Sequence, residues 1–368
     1  MMKTSTRLMV NTVATFVISL YPVSLAAQSA EPSEESPERS SSHKSGYDAI
    51  VAGRNLTPEQ VASLEAKLAM DPNDVAVRTQ LLAYYGGSRS FRDQSAKEAK
   101  REHALWFIRN SPESEILGTP PSQIDHILDS EGYSEAKRAW MSQIDREPEN
   151  TRLLGHAAAF LKFGDRRTSI EVLEQAQSLD PSNPEWPREL GHLHSLGAQV
   201  SGGGDLKSAE KALEHFQRAY GLADDSLRDS LLDYLAKAAF SADQLDQAHH
   251  YAELMLQNTA AGWNSGNREH HGNLVLGRIA LRAGNIEEAR SRLIAAGNTT
   301  GSPQLNSFGP NMSLAEELLE IGEREVVLEY FKLCSRFWDS DRAKDKLDRW
   351  SVVAAARRIP DFGANLHY

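Results

Sequence analysis

A single cysteine, Cys334, stands in 368 residues. That excludes an internal disulfide framework and any cysteine-rich zinc site. Excess positive charge is missing too. The formal net charge is −11, which excludes general nucleic-acid binding through phosphate neutralisation. Sustained period-two alternation is nearly absent, so strands are not expected. No apolar run reaches the ~20 residues of a membrane-spanning helix. Catalytic signatures are lacking as well: there is no His-Glu-x-x-His and no Gly-x-Ser-x-Gly. The glycine-rich "SGGGDLKS", residues 201–208, lacks the Gly-Lys-Ser/Thr ending of a phosphate loop and follows no strand; it reads as a lengthened turn within one hairpin. Twelve histidines invite a metal hypothesis. However, His192 and His194 are two apart and point to different sides of a helix, and the adjacent pairs His249-His250 and His270-His271 share the problem. No metal and no other cofactor is expected. Cys334 falls on a core-type helix position, which favours burial over nucleophilic duty.

What is present begins with an export pattern. Lys3 and Arg7 precede the apolar "VATFVISL", Pro22 breaks it, and "SLAAQSA" supplies small residues for cleavage. Residues 1–27 are therefore expected to be a cleavable signal peptide of a periplasmic or secreted protein, with an uncleaved anchor as the alternative. No cysteine follows the apolar core, so no lipid attachment is expected. The segment carries two cations and no acid, so its removal would take the charge to −13. Residues 28–46, "QSAEPSEESPERSSSHKSG", hold no large apolar side chain and read as a disordered linker.

From about Leu56 the chain alternates amphipathic helical patterns with short turns, and these patterns repeat. In 153–181 small Ala157 precedes Phe160 by one turn. Gly164 and Asp165 make the turn. Ser169, Leu173 and Ala176 follow, and Pro181 ends the unit. The register returns as Leu190, Gly191, Ala212, Phe216 and Ala219, then as Leu235, Ala236, Ala239, Ala248, Ala252 and Met255. It returns again as Leu276, Gly277, Ala280, Ala289, Leu293 and Ala296. Ala157 and Gly191 lie 34 residues apart. Small residues let two helices approach closely, and large ones fill the neighbouring turn. Upstream the pattern weakens: Ala136, Trp140 and Pro148 carry a second helix whose first helix would be short. Downstream, Leu314, Ala315, Leu318, Val327, Phe331 and Cys334 form a degenerate last unit, with Ser313 as its expected N-cap and Glu316 completing a capping box.

This pattern resembles the tetratricopeptide repeat, W-x2-L-G-x2-Y, A-x3-F-x2-A and P over about 34 residues, and the whole resembles exported bacterial proteins of that family. The resemblance implies an all-α, right-handed solenoid of stacked helix-turn-helix hairpins. Degenerate helices are expected over 47–148, the array over 149–338, and a capping helix with a turn-rich tail over 339–368.

The resemblance also implies a non-enzymatic scaffold whose concave groove receives a protein or peptide. Helix periodicity selects Arg188, His192, Asp233, Lys237, His271, Arg278 and Arg282 as groove-facing. A mainly basic stripe of this kind suits a free carboxylate or an acidic peptide; the competing reading is solvated helix residues, some paired with Glu185, Asp233 and Glu316. The alternative functions are a metal-dependent or enzymatic factor built on the solenoid, and a self-associating structural component. One segment stands apart. "GSPQLNSFGPNM", residues 301–312, separates the last full unit from the degenerate one. Pro303, Gly309 and Pro310 deny it helical continuity, Leu305 and Phe308 are expected to anchor it, and Gln304, Asn306, Ser307 and Asn311 are the alternative contributors to a groove end.

Overall fold

The computed structural model describes residues 48–200 and 205–366, so the expected signal (1–27), the whole of the expected linker (28–46) and residues 201–204 of the expected glycine-rich turn lie outside the described residues. The described chain is all helical, without a strand. Helix α1 covers residues 48–54 and is followed by α2 (Pro58–Met70), α3 (Val75–Tyr85), α4 (Gln94–Asn110) and α5 (Ser130–Arg146). Four helical pairs follow. These are α6 (Thr151–Leu161) with α7 (Arg166–Leu179), α8 (Glu185–Val200) with α9 (Leu206–Leu222), α10 (Asp225–Ser241) with α11 (Leu245–Gln257), and α12 (Ser265–Arg282) with α13 (Ile286–Gly297). After the short α14 (Pro303–Phe308), α15 (Ser313–Glu320) pairs with α16 (Arg324–Cys334), and α17 (Asp341–Ala355) closes the chain. Successive helices pack on one another from α2 to α13 and from α15 to α17, while the short α14 rests on α12; this is the packing of a helical solenoid.

The repeated positions account for that packing. Ala157, Ala176, Phe216, Ala219, Ala236, Ala239, Ala248, Ala252, Ala289, Leu293, Ala296, Ala315, Leu318, Val327 and Cys334 are all fully buried. The small positions are set by close approach. A Cβ on Gly191 would stand 2.6 Å from the Phe216 ring, so the first helix of a pair rests directly on the large residue of the second. Hairpin turns double as caps: Asp165 accepts from Thr168 N–H, and Asn285 accepts from Glu288 N–H, each starting a second helix. The weak upstream unit has a physical counterpart. Where its short first helix was expected, two 3₁₀ turns, Glu115–Gly118 and Pro120–Ser122, precede α5.

The segment 301–312 departs from expectation in two ways. It contains a helical turn, α14, with Ser302 accepting from Leu305 N–H as its cap. And Phe308 is 39% exposed, so Leu305 and Met312, both fully buried, are the anchors. Gly301 (φ +87°) and Gly309 (φ +92°) lie in the left-handed region, and a Cβ on Gly309 would stand 2.6 Å from the Trp338 indole. The expected cap of α15 also shifts: Ser313 is its first residue, and Asn311 Oδ1 accepts from Ser313 N–H (2.9 Å) and hydroxyl (2.7 Å).

The tail folds back onto this segment. Asn365 Nδ2 donates to the carbonyls of Pro310 (2.9 Å) and Phe308 (3.2 Å), and Met312 N–H donates to the Asn365 carbonyl (2.8 Å). Helix α17 buries Leu347 and Trp350 against α16, with the Trp350 ring 5.0 Å from Phe362 and 5.9 Å from Trp338. Cys334 is wholly buried, and burial pushes its thiol far above the usual range.

Candidate functional site

The first helices α6, α8, α10, α12 and α15 are tied to one another by side chains. Lys162 Nζ, just past the end of α6, lies 3.8 Å from Glu189 of α8. The His192 ring of α8 meets the Tyr234 ring of α10 edge-on at 4.5 Å. Arg268 of α12 reaches Asp229 of α10 at 2.8 Å, and Arg278 of α12 reaches Glu317 of α15 at 2.6 Å. Together these helices form one strip, and six of the seven sequence-selected residues are partly exposed there or at its edge.

At the α8–α10 end Arg188 lies between two carboxylates, Glu185 at 2.5 Å and Glu189 at 3.2 Å. Its Nε–H is buried and has no partner. Burial pushes His192 down to about 4, against the pull of Glu189, so the ring is neutral at ordinary pH. It packs on Phe216 and Tyr234. Burial, then Asp233, pushes the Tyr234 hydroxyl up to about 12. Lys237 donates to Asp233 Oδ2 at 2.9 Å, one helical turn away, while Asp233 Oδ1 is buried without a partner. The Lys237 charge also acts on His270 and His271 of α12, after burial itself, to hold both rings neutral.

At the α10–α12 end two guanidinium groups share one ring. Arg278 and Arg282 lie 4.2 and 3.9 Å from the centroid of Phe240. Arg278 directs Nε and Nη2 to Glu317, and Arg282 directs Nη1 to Asp243 at 2.8 Å. His271 stands apart from the other six, at 5% exposure inside α12 and edge-on to His270.

The basic stripe expected from periodicity is therefore a strip of ion pairs. Arg188, Lys237, Arg278 and Arg282 each face a carboxylate. The Arg188–Glu185 pairing was legible along one helix, as was Lys237–Asp233. Arg278 pairs with Glu317 of α15, not with the expected Glu316 on the same helix. Arg268–Asp229, Arg278–Glu317 and Arg282–Asp243 all span 39 residues. Scanning for opposite charges at that offset would have found these partners. Glu189, Tyr234 and Phe240 were missed because periodicity on one helix does not reveal what stands beside it.

Chemically the strip offers anchored charges, aromatic faces and unsatisfied polar atoms, Arg188 Nε and Asp233 Oδ1 among them, on its helices. Among the described residues no group of three or more His, Cys, Asp or Glu side chains is placed to hold a metal, and no helix is long and apolar enough to cross a membrane. No family model matches this chain, and no curated protein matches it either.

Proposed function

We propose that this protein is a non-enzymatic scaffold of the tetratricopeptide type, periplasmic or secreted, that holds a protein or peptide partner along the strip of first helices. The observation that carries this reading is that buried polar atoms on that strip are left without partners, among them Arg188 Nε–H on α8 and Asp233 Oδ1 on α10. An unsatisfied buried donor or acceptor costs about 1–3 kcal/mol. A peptide main chain carries an acceptor and a donor in every unit, so an incoming segment satisfies both kinds of atom. An acidic ligand fits less well than the sequence suggests, since it must displace Glu185, Glu189 or Glu317 from their arginines.

Crosslinking and capture from an envelope extract tests the proposal. Arg188→Lys retains a cation for Glu185 and Glu189 but removes the Nε–H, and Asp233→Ala removes the acceptor. One defined partner is expected with the natural chain, and about tenfold weaker binding of it with each variant at unchanged helicity. Capture of no defined partner, or equal affinity in both variants, overturns the proposal. The enzymatic or metal-dependent alternative is favoured instead if elemental analysis of the purified chain finds a stoichiometric transition metal.

A further inference from the structure

Between the end of α6, the start of α7, the second half of α8 and the start of α9 lies a cleft of about 670 Å³. That volume is within the range of small-molecule sites. Phe163, Ile170, Leu193 and Leu196 give it an apolar wall. Around this wall the charge is predominantly positive, in a chain whose net charge is −11. Arg166 is exposed and has no carboxylate in ion-pair range among the described residues. Among the described residues Arg167 pairs only with Glu171, in an exposed pair of little strength. Lys162 is held loosely, 3.8 Å from Glu189.

His194 lines the same cleft. It is 8% exposed, and its Nε2 is buried with no hydrogen-bond partner. Its ring stacks on His215 of α9 at 5.4 Å and 3°. Besides His215, the charged groups acting on it are Lys211 and Arg166, which disfavour protonation, and Asp205, which favours it. The Asp205 carboxylate is already engaged by the Ser208 hydroxyl at 2.6 Å. A residue that lines a cationic cleft with an apolar wall, and whose buried ring nitrogen has no partner, lacks one thing: an anionic oxygen carried on an apolar body.

We propose that this cleft is a binding site for a small anionic amphiphile, with its headgroup between Arg166 and His194 Nε2 and its chain along Phe163, Ile170 and Leu196. The anion accepts from the ring nitrogen and offsets the repulsion that Arg166 and Lys211 exert on a protonated His194. Binding and protonation of His194 are therefore coupled, and affinity rises as pH falls.

Titration calorimetry of the full chain tests this with octyl sulfate, octyl phosphate, octanoate and neutral octanol, all well below micelle-forming concentrations. Octyl sulfate stays ionised throughout, so it isolates the protein's own titration. One saturable site is expected for the anionic probes and none of comparable affinity for octanol. The order among the three anionic probes distinguishes sulfate-, phosphate- and carboxylate-type headgroups. Arg166→Gln, a change at an exposed residue, is expected to weaken octyl sulfate binding about tenfold. Octyl sulfate is expected to bind more tightly near about pH 5.5 than about pH 7.5, and His194→Gln is expected to remove that gain. Equal binding of octanol, binding unaffected by Arg166→Gln, a pH response that survives in His194→Gln, or no saturable binding of any probe overturns the proposal.

Discussion

His270 ties the end of α13 to the connector before α15. It is fully buried. Nδ1–H donates to the Ala296 carbonyl at the end of α13 (2.9 Å), and Nε2 accepts from Asn311 N–H (3.0 Å). These two partners require the neutral ring with its proton on Nδ1. Burial, the largest cause, holds His270 down to about 4, and it does the same to His192 and, beside Arg78, to His103. In the unfolded chain these rings titrate near about 6.5. Between the two values the unfolded state binds more protons, so the stability is complete above about 6.5 and is lost as pH falls toward about 4. Each such ring contributes up to about 1.4 kcal/mol per pH unit in that window. Urea unfolding is therefore expected to show a midpoint that falls between about pH 7 and about pH 5, before most carboxylates titrate. A midpoint constant across that window would mean that the folded protein accepts these protons.

At the scale of elements the decisive piece is the connector between α13 and α15. Helix breakers in 301–312 signal a break, and the chain uses them to make a tight path: Gly301 and Gly309 take left-handed conformations on either side of α14. Its packing rests on Leu305, with no exposure, while Phe308 is 39% exposed. Leu305→Ala is expected to cost about 2–5 kcal/mol through a buried cavity. Phe308→Ala is expected to cost under about 1 kcal/mol. Thermal melts of the two variants check the ranking, and a larger loss from Phe308→Ala would restore the anchor first expected from the sequence. That expectation treated every large apolar residue in an irregular segment as buried. The turn of α14 instead leaves Phe308 at the surface, where Asn365 of the tail holds its carbonyl. The capping expectation missed for a related reason: Asn311, outside α15, reaches its first residue because the tail and Tyr330 already hold the backbone around it, the Tyr330 hydroxyl donating to the Asn311 carbonyl at 2.7 Å.

Across the whole molecule, burial is divided among clusters that follow chain order. One runs from Ile50 to Leu193, a second from Ala209 to Leu276, and a third from Leu274 to Phe362. Neighbouring units supply nearly all the contacts, which makes stability approximately a sum over units and interfaces. Hydrogen exchange of Leu305→Ala is expected to show faster exchange in α15, α16 and α17, with α4 to α7 unchanged. A uniform rise along the chain would indicate one cooperative unit instead.

Fold class, hairpin order and the buried small-large positions were all determined by the sequence, because they depend on residues a few places apart on one helix or across one turn. Gly191 against Phe216 and the burial of Ala236, Ala289 and Ala315 follow from that local register. What only the tertiary structure decided lies between helices. The same periodicity that selected Arg278 and Arg282 did not reveal their partners, because Glu317 comes from the next first helix and Asp243 from the turn after α10, each 39 residues away. The return of Asn365 to residues 308–312 and the placement of His194 in the lining of a cationic cleft are likewise products of stacking. Local spacing sets which face a side chain takes; stacking sets what stands opposite that face, and the chemistry of a site depends on both.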